Sequence, residues 1–188
     1  MKKSILSSIL LLLLFSAPTN GESREAPESV AKRLYQHLQD VSVTVKSGFG
    51  EGSGVIVTRT VPVTQGKPLT AKVNFVWTAA HVVDGLRSVR TVIKDGRATK
   101  VVEFKDAQIV QELVEDGRRV GEMKMEAKVI KYSDSENGED LALLMIRKKG
   151  YIDKSVTFYR GEGAPVTIGT ELYHVGSLLG QTGSNSMT

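Results

Sequence analysis

The sequence predicts an all-β fold with one short helix near its front. Three observations carry this. Short apolar runs alternate with polar residues at period two along most of the chain, and turn-forming pairs such as Asp95-Gly96 and Asp116-Gly117 fall between them. Only one stretch repeats its apolar residues at helical spacing. Many short strands with closely spaced turns make an antiparallel barrel or sandwich.

The elements follow in order. Residues 1–21 have the layout of a secretory signal peptide: Lys2 and Lys3 at the head, an apolar run from Ile5 to Phe15, then small residues to Gly21. The run is shorter than the ~20 apolar residues of a membrane span. An uncleaved anchor is the alternative reading. Cleavage after Gly21 suits a signal peptidase better than cleavage after Ala17, which would leave Pro18 at the new terminus. A secreted or periplasmic protein, with no stable membrane insertion once the signal is removed, is the expectation.

Residues 22–40 read as a helix, with Pro27 near its start and Val30, Leu34 and Leu38 on one stripe. Val41, Val43 and Val45 then alternate as a half-buried strand. Gly48, Gly50, Gly52 and Gly54 are expected to form a turn before the strand Val55-Ile56-Val57. Residues 64–68 look like a hairpin tip leading into a strand over 72–78. Further strands are expected at 88–94, 98–104, 107–114, 118–125, 126–132 and 140–146. Beyond Tyr151, two or three more are expected near 155–159, 165–168 and 170–175. These cannot close a barrel of their own, so the chain reads as truncated. The domain reading is therefore signal (1–21), helical segment (22–40), first β-barrel (41–150) and start of a second barrel (151–188).

Composition narrows the function classes. Hydrophobic residues at 40% and charged residues at 24% fit a soluble globular protein. The chain has no cysteine, so its stability rests on apolar burial rather than cross-links. Three scattered histidines offer no zinc-site spacing, and no cofactor or metal is expected. The glycines at 48–54 match no phosphate loop. The charge of +4 falls to +2 once Lys2 and Lys3 are removed, and basic and acidic residues are interspersed. A mixed solvated surface is the reading preferred to nucleic-acid binding.

Two segments bear chemistry. In Trp77-Thr78-Ala79-Ala80-His81-Val82-Val83-Asp84, a strand ends in two small residues, and a histidine stands where it stops. In Asn137-Gly138-Glu139-Asp140-Leu141-Ala142-Leu143-Leu144, an acidic residue directly precedes an apolar strand, where a carboxylate can hold one imidazole nitrogen. Asp84 is the competing acid, but it belongs to the turn after His81. His174 reads as structural within an alternating strand, and His37 as solvated on the helix.

These segments resemble the T-A-A-H and D-[apolar]-A-[apolar]-[apolar] signatures of the chymotrypsin/trypsin-like serine peptidases, with Gly52-Ser53-Gly54-Val55 as the preceding strand. The chain is most similar to their cysteine-free bacterial HtrA-type branch, and Tyr173 to Gly180 resembles a glycine turn of that branch. The resemblance spans residues 41–188. It implies a trypsin-like double β-barrel, with the first barrel complete and the second partly present. It also implies catalytic roles for His81 and Asp140 and a protein or peptide substrate. The family's G-[DN]-S-G-G nucleophile turn does not occur in the sequence. Ser184 and Ser186 are poor substitutes, since neither is followed by paired glycines. A serine-type endopeptidase acting outside the cytoplasm, represented here by an incomplete and inactive portion, is the expected function. The alternative is a secreted pseudopeptidase that binds peptides or proteins. The 59-residue separation of His81 and Asp140 is long for the branch and suggests an extra hairpin around Asp116-Gly117.

Overall fold

The computed structural model describes residues 30–48, 50–63, 70–115, 118–148, 151, 153–161, 163, 165–177 and 185–187. The signal-like segment, Pro27, the hairpin tip at 64–68, the Asp116-Gly117 pair and Ser184 lie outside them. Helix α1 runs Val30–Val41, with Val41 fully buried and Leu34 and Leu38 half-buried. Twelve residues make a marginal helix in water. Its C-terminal end is held by the Gln111 side-chain amide, which donates to the Asp40 carbonyl at 2.8 Å.

Strands β1 (Ser42–Lys46), β2 (Glu51–Pro62), β3 (Thr70–Thr78), β6 (Ala107–Glu115), β7 (Arg118–Ser133) and β8 (Leu141–Ile146) form a closed antiparallel barrel in the order β1-β2-β3-β8-β7-β6. Closure comes from β1 pairing with β6, Val45 opposite Ile109. Period-two alternation sends one side chain in two inward. Val45, Ile56, Val76, Ile109 and Leu144 meet in the interior at 0% exposure. Each such side chain contributes roughly 1.5–3 kcal/mol by burial. No described helix is long and apolar enough to cross a membrane.

The glycine run at 48–54 differs from the expected turn. Gly48 does turn the chain, at φ +88, but β2 already begins at Glu51 and contains Gly52 and Gly54. Their role is close approach. A Cβ on Gly54 would sit 2.5 Å from Val76 Cγ1, and one on Gly52 would sit 2.5 Å from Val82 Cγ2. The two strands expected at 118–125 and 126–132 are one, β7, because the sequence offers no turn residue between them.

Between β3 and β6 the chain forms a short helix α2 (Ala80–Val83), a 3-10 turn (Asp84–Leu86) and a separate two-stranded ribbon of β4 (Arg87–Lys94) and β5 (Arg97–Phe104). Asp95 and Gly96 join its strands with φ +51 and +70, the left-handed pair that a tight two-residue hairpin demands. This ribbon is a hairpin additional to the barrel.

After β8 the expected strands at 155–159 and 165–168 do not form, and of the one expected near 170–175 only Val175 is in a strand, as the start of β9. Residues 153–156 instead lie along β2 as a strap. Val156 N–H donates to the Ile56 carbonyl (3.1 Å), and Thr58 N–H donates to Ser155 Oγ (2.9 Å). Further on, Ile168 and Leu172 are exposed, since no described strand pairs with that stretch. The only described strands there are β9 (Val175–Ser177) and β10 (Asn185–Met187), paired with each other. A barrel and a helix are thus present, and a second barrel is not seen among the described residues.

Candidate active site

The site is built where β3 and β8 lie side by side. Thr78, the last residue of β3, pairs with Ala142 of β8, so the residues just past Thr78 and just before Leu141 emerge at one barrel end. Ala79 keeps an extended backbone (φ −71, ψ 145) and the chain then coils at once into α2. Ala80, Val82 and Val83 are buried, which leaves His81 as the member of α2 that faces outward. Gly52 makes room for this packing by letting Val82 rest on β2.

The loop from Asp134 to Asp140 shapes itself locally. Asp134 Oδ1 accepts from the Glu136 and Asn137 N–H groups at 2.8 and 3.3 Å. Ser133 Oγ accepts from Glu139 N–H at 2.9 Å. Gly138 has no space for a Cβ, which would lie 2.6 Å from the Asp134 carbonyl oxygen. The loop ends with Asp140 in the left-handed region at φ +52, which aspartate tolerates better than most residues.

His81 and Asp140 meet, as the two motifs suggest. Asp140 Oδ1 accepts the His81 backbone N–H at 2.9 Å, and Oδ2 lies 2.8 Å from His81 Nδ1. A third bond runs from Ala80 N–H to the Asp140 carbonyl at 3.1 Å. An ionised carboxylate can only accept, so Nδ1 carries the ring proton and Nε2 presents a lone pair. Nε2 makes no hydrogen bond among the described residues, and the His81 side chain is 63% exposed. The His81 backbone N–H, and then its imidazole, hold the Asp140 carboxyl below the usual carboxylate range. The pair is therefore an oriented, accessible base beside a carboxylate that stays charged.

Asp84 does not compete for His81. It accepts the Tyr132 hydroxyl proton, and the Tyr132 ring packs against Phe104 with centroids 5.1 Å apart. Burial and then Asp84 push the Tyr132 phenol up to about 12. Arg87 lies over the same ring at 5.4 Å and reaches Asp134 at 3.7 Å. Tyr132, Arg87 and Asp134 thus tie the segment after His81 to the loop before Asp140. The sequence reading missed all three. The Asp134-x-x-Asn137 spacing, which suits an aspartate turn, was the available signal.

His174 lies apart from the pair. It lines a 340 Å³ groove with Leu38, Val55, Trp77 and Tyr173. His37 is exposed on α1. A 530 Å³ cleft lined by Lys46, Ser47, Glu51, Leu86, Lys105 and Gln108 involves neither His81 nor Asp140. Among the described residues, no three histidine or acidic side chains are grouped to hold a metal ion. No family model, curated protein or solved structure matches the chain.

Proposed function

We propose that this chain is the histidine- and aspartate-bearing part of an exported serine-type endopeptidase. One observation carries the reading: Asp140 grips His81 at both backbone and ring, with Nε2 turned away from the carboxylate toward solvent. The arrangement suits a general base. Nε2 takes the proton of an attacking serine hydroxyl, and the imidazolium that forms is stabilised by Asp140. The proton then passes to the leaving amine. Proton handling of this sort raises a rate by about 10²–10⁴-fold.

The reading requires a serine and an oxyanion hole opposite Nε2, which a second barrel would have to supply. The lysine-headed apolar leader supports export. The test is the protein translated from its whole coding sequence, secreted and incubated with a fluorophosphonate probe and with casein. Labelling and casein cleavage that both vanish in His81→Ala support the peptidase. A folded product that neither labels nor cleaves overturns it in favour of a non-catalytic, peptide-binding barrel.

A further inference from the structure

The ribbon of β4 and β5 takes no part in the site chemistry. Its strands pair with each other and, among the described residues, with no other strand, so both outer edges present open backbone groups. Only Val92, Val101 and Phe104 are even half-buried along it. A lone two-stranded ribbon is marginal in water, yet this one turns apolar side chains outward. Val89 is 53% exposed, Ile93 82% and Val102 46%. Val89 lies opposite Val102 and Ile93 opposite Ala98, which sets these side chains on a single face.

Charge lies mainly on the opposite face, where Arg90, Lys94 and Arg97 stand, while Arg87 and Lys100 share the apolar one. Arg87, Arg90, Lys94, Arg97 and Lys100 stand against Asp95 and Glu103 within residues 87–104. The chain's net charge is +4, and +3 of it belongs to this ribbon. The pairing of β4 with β5 sets these residues, already close in sequence, on one ribbon. Glu103 is already neutralised by Arg90, the two side chains meeting at 2.6 Å. Lys94, Arg97 and Lys100 make no ion pair among the described residues.

We propose that the β4–β5 ribbon is a docking arm that binds an extended acidic polypeptide segment along an open edge. The main-chain groups of such a segment would complete the ladder, and its carboxylates and apolar side chains would alternate against the arm. The charge selects this occupant. A second copy of the ribbon would bring the same positive excess and repel the first. An anionic lipid surface would call for apolar groups gathered at the tip. Here Ile93 is the one large apolar side chain near the tip, where the acidic Asp95 also stands, and Val89 and Val102 lie toward the root. Single-stranded nucleic acid would call for exposed aromatic platforms, and the one aromatic side chain of the ribbon, Phe104, packs on Tyr132. The arm goes beyond the peptidase reading and does not depend on it.

The test is fluorescence anisotropy with the whole chain and a labelled octapeptide alternating glutamate and valine. Binding should be about tenfold tighter than for a lysine–valine octapeptide and should weaken as salt is raised. The triple variant Lys94→Glu/Arg97→Glu/Lys100→Glu should lose about tenfold or more in affinity, with an unchanged circular dichroism spectrum. If that variant does not fold, the corresponding triple glutamine variant carries the comparison. Methylating alternate backbone nitrogens of the acidic peptide should likewise abolish binding. Equal affinity for both peptides, or undiminished binding by the charge variant or the methylated peptide, overturns the proposal. Capture of anionic vesicles or a single-stranded oligonucleotide with the peptide left unbound does the same.

Discussion

Asp140 and His81 are joined by two bonds of nearly equal length, 2.9 Å to the backbone N–H and 2.8 Å to ring Nδ1, so one carboxylate fixes both where the histidine sits and how its ring is turned. Replacing Asp140 by Asn leaves an oxygen for the backbone N–H but sets an amide N–H donor against Nδ1. The ring proton should then move to Nε2, removing the lone pair. Long-range nitrogen–proton correlation spectra of His81 should show the change of tautomer, and on the proposed peptidase reading any peptidase activity of the full-length protein should fall about 10⁴-fold. An unchanged tautomer in the variant contradicts the assignment.

Acid should act through the same carboxyl. Asp140 in the folded chain holds its proton more weakly than the ordinary value of 3.8, first because of the His81 backbone N–H and then because of its ring. A depressed folded value stabilises the fold above the unfolded value. That contribution is lost as pH falls through the folded value. Below about pH 5 the stability gap between the wild type and Asp140→Asn should narrow as the carboxyl takes up its proton, and be smallest below about pH 3. Urea unfolding across that range measures it, and a gap that widens on acidification refutes the argument.

Gly52 should be replaceable only with help. A Cβ there meets Val82 Cγ2 at 2.5 Å but Val82 Cβ at 3.4 Å, an ordinary contact. Gly52→Ala alone should cost about 1–3 kcal/mol and displace α2. Adding Val82→Ala should recover part of that cost, giving a favourable coupling in a double-mutant cycle. Strict additivity by denaturant unfolding would show that the clash is relieved elsewhere.

Tyr132→Phe keeps the ring against Phe104 and under Arg87 but removes the hydroxyl bonded to Asp84. The expected loss is about 0.5–1.5 kcal/mol. The Lys105 amide, bonded to the Leu86 carbonyl at 3.0 Å near the same junction, should exchange faster with deuterium. Unchanged stability and exchange would remove Tyr132 from the junction.

The barrel was legible because Val43-Val45, Val76 and Leu144 alternate with their neighbours as a one-sided strand must, and because Asp95-Gly96 can adopt the conformation its hairpin needs. The pairing of His81 with Asp140 was legible because each stands at a strand end beside small or apolar residues. What failed has physical causes. Gly52 and Gly54 read as turn residues, although strands also use glycine where another side chain comes close. Val166, Ile168 and Leu172 carry an apolar pattern without a sheet to join, and alternation alone does not make a strand. The contact of Tyr132 with Asp84 spans 48 residues and left no local trace.

Barrel closure also imposes a timetable. β3 can zip onto β2 as soon as both are synthesised, but its other edge waits for β8, whose Ala142 to Met145 pair with Phe75 to Thr78. The ribosome adds about 5–20 residues per second. The 59 positions from His81 to Asp140 therefore take roughly 3–12 s to make. During that interval a hydrophobic strand flank is open to chaperones and to neighbouring nascent chains. Long-range pairing of this sort slows folding, so the last strand to emerge sets the pace at which the molecule escapes aggregation.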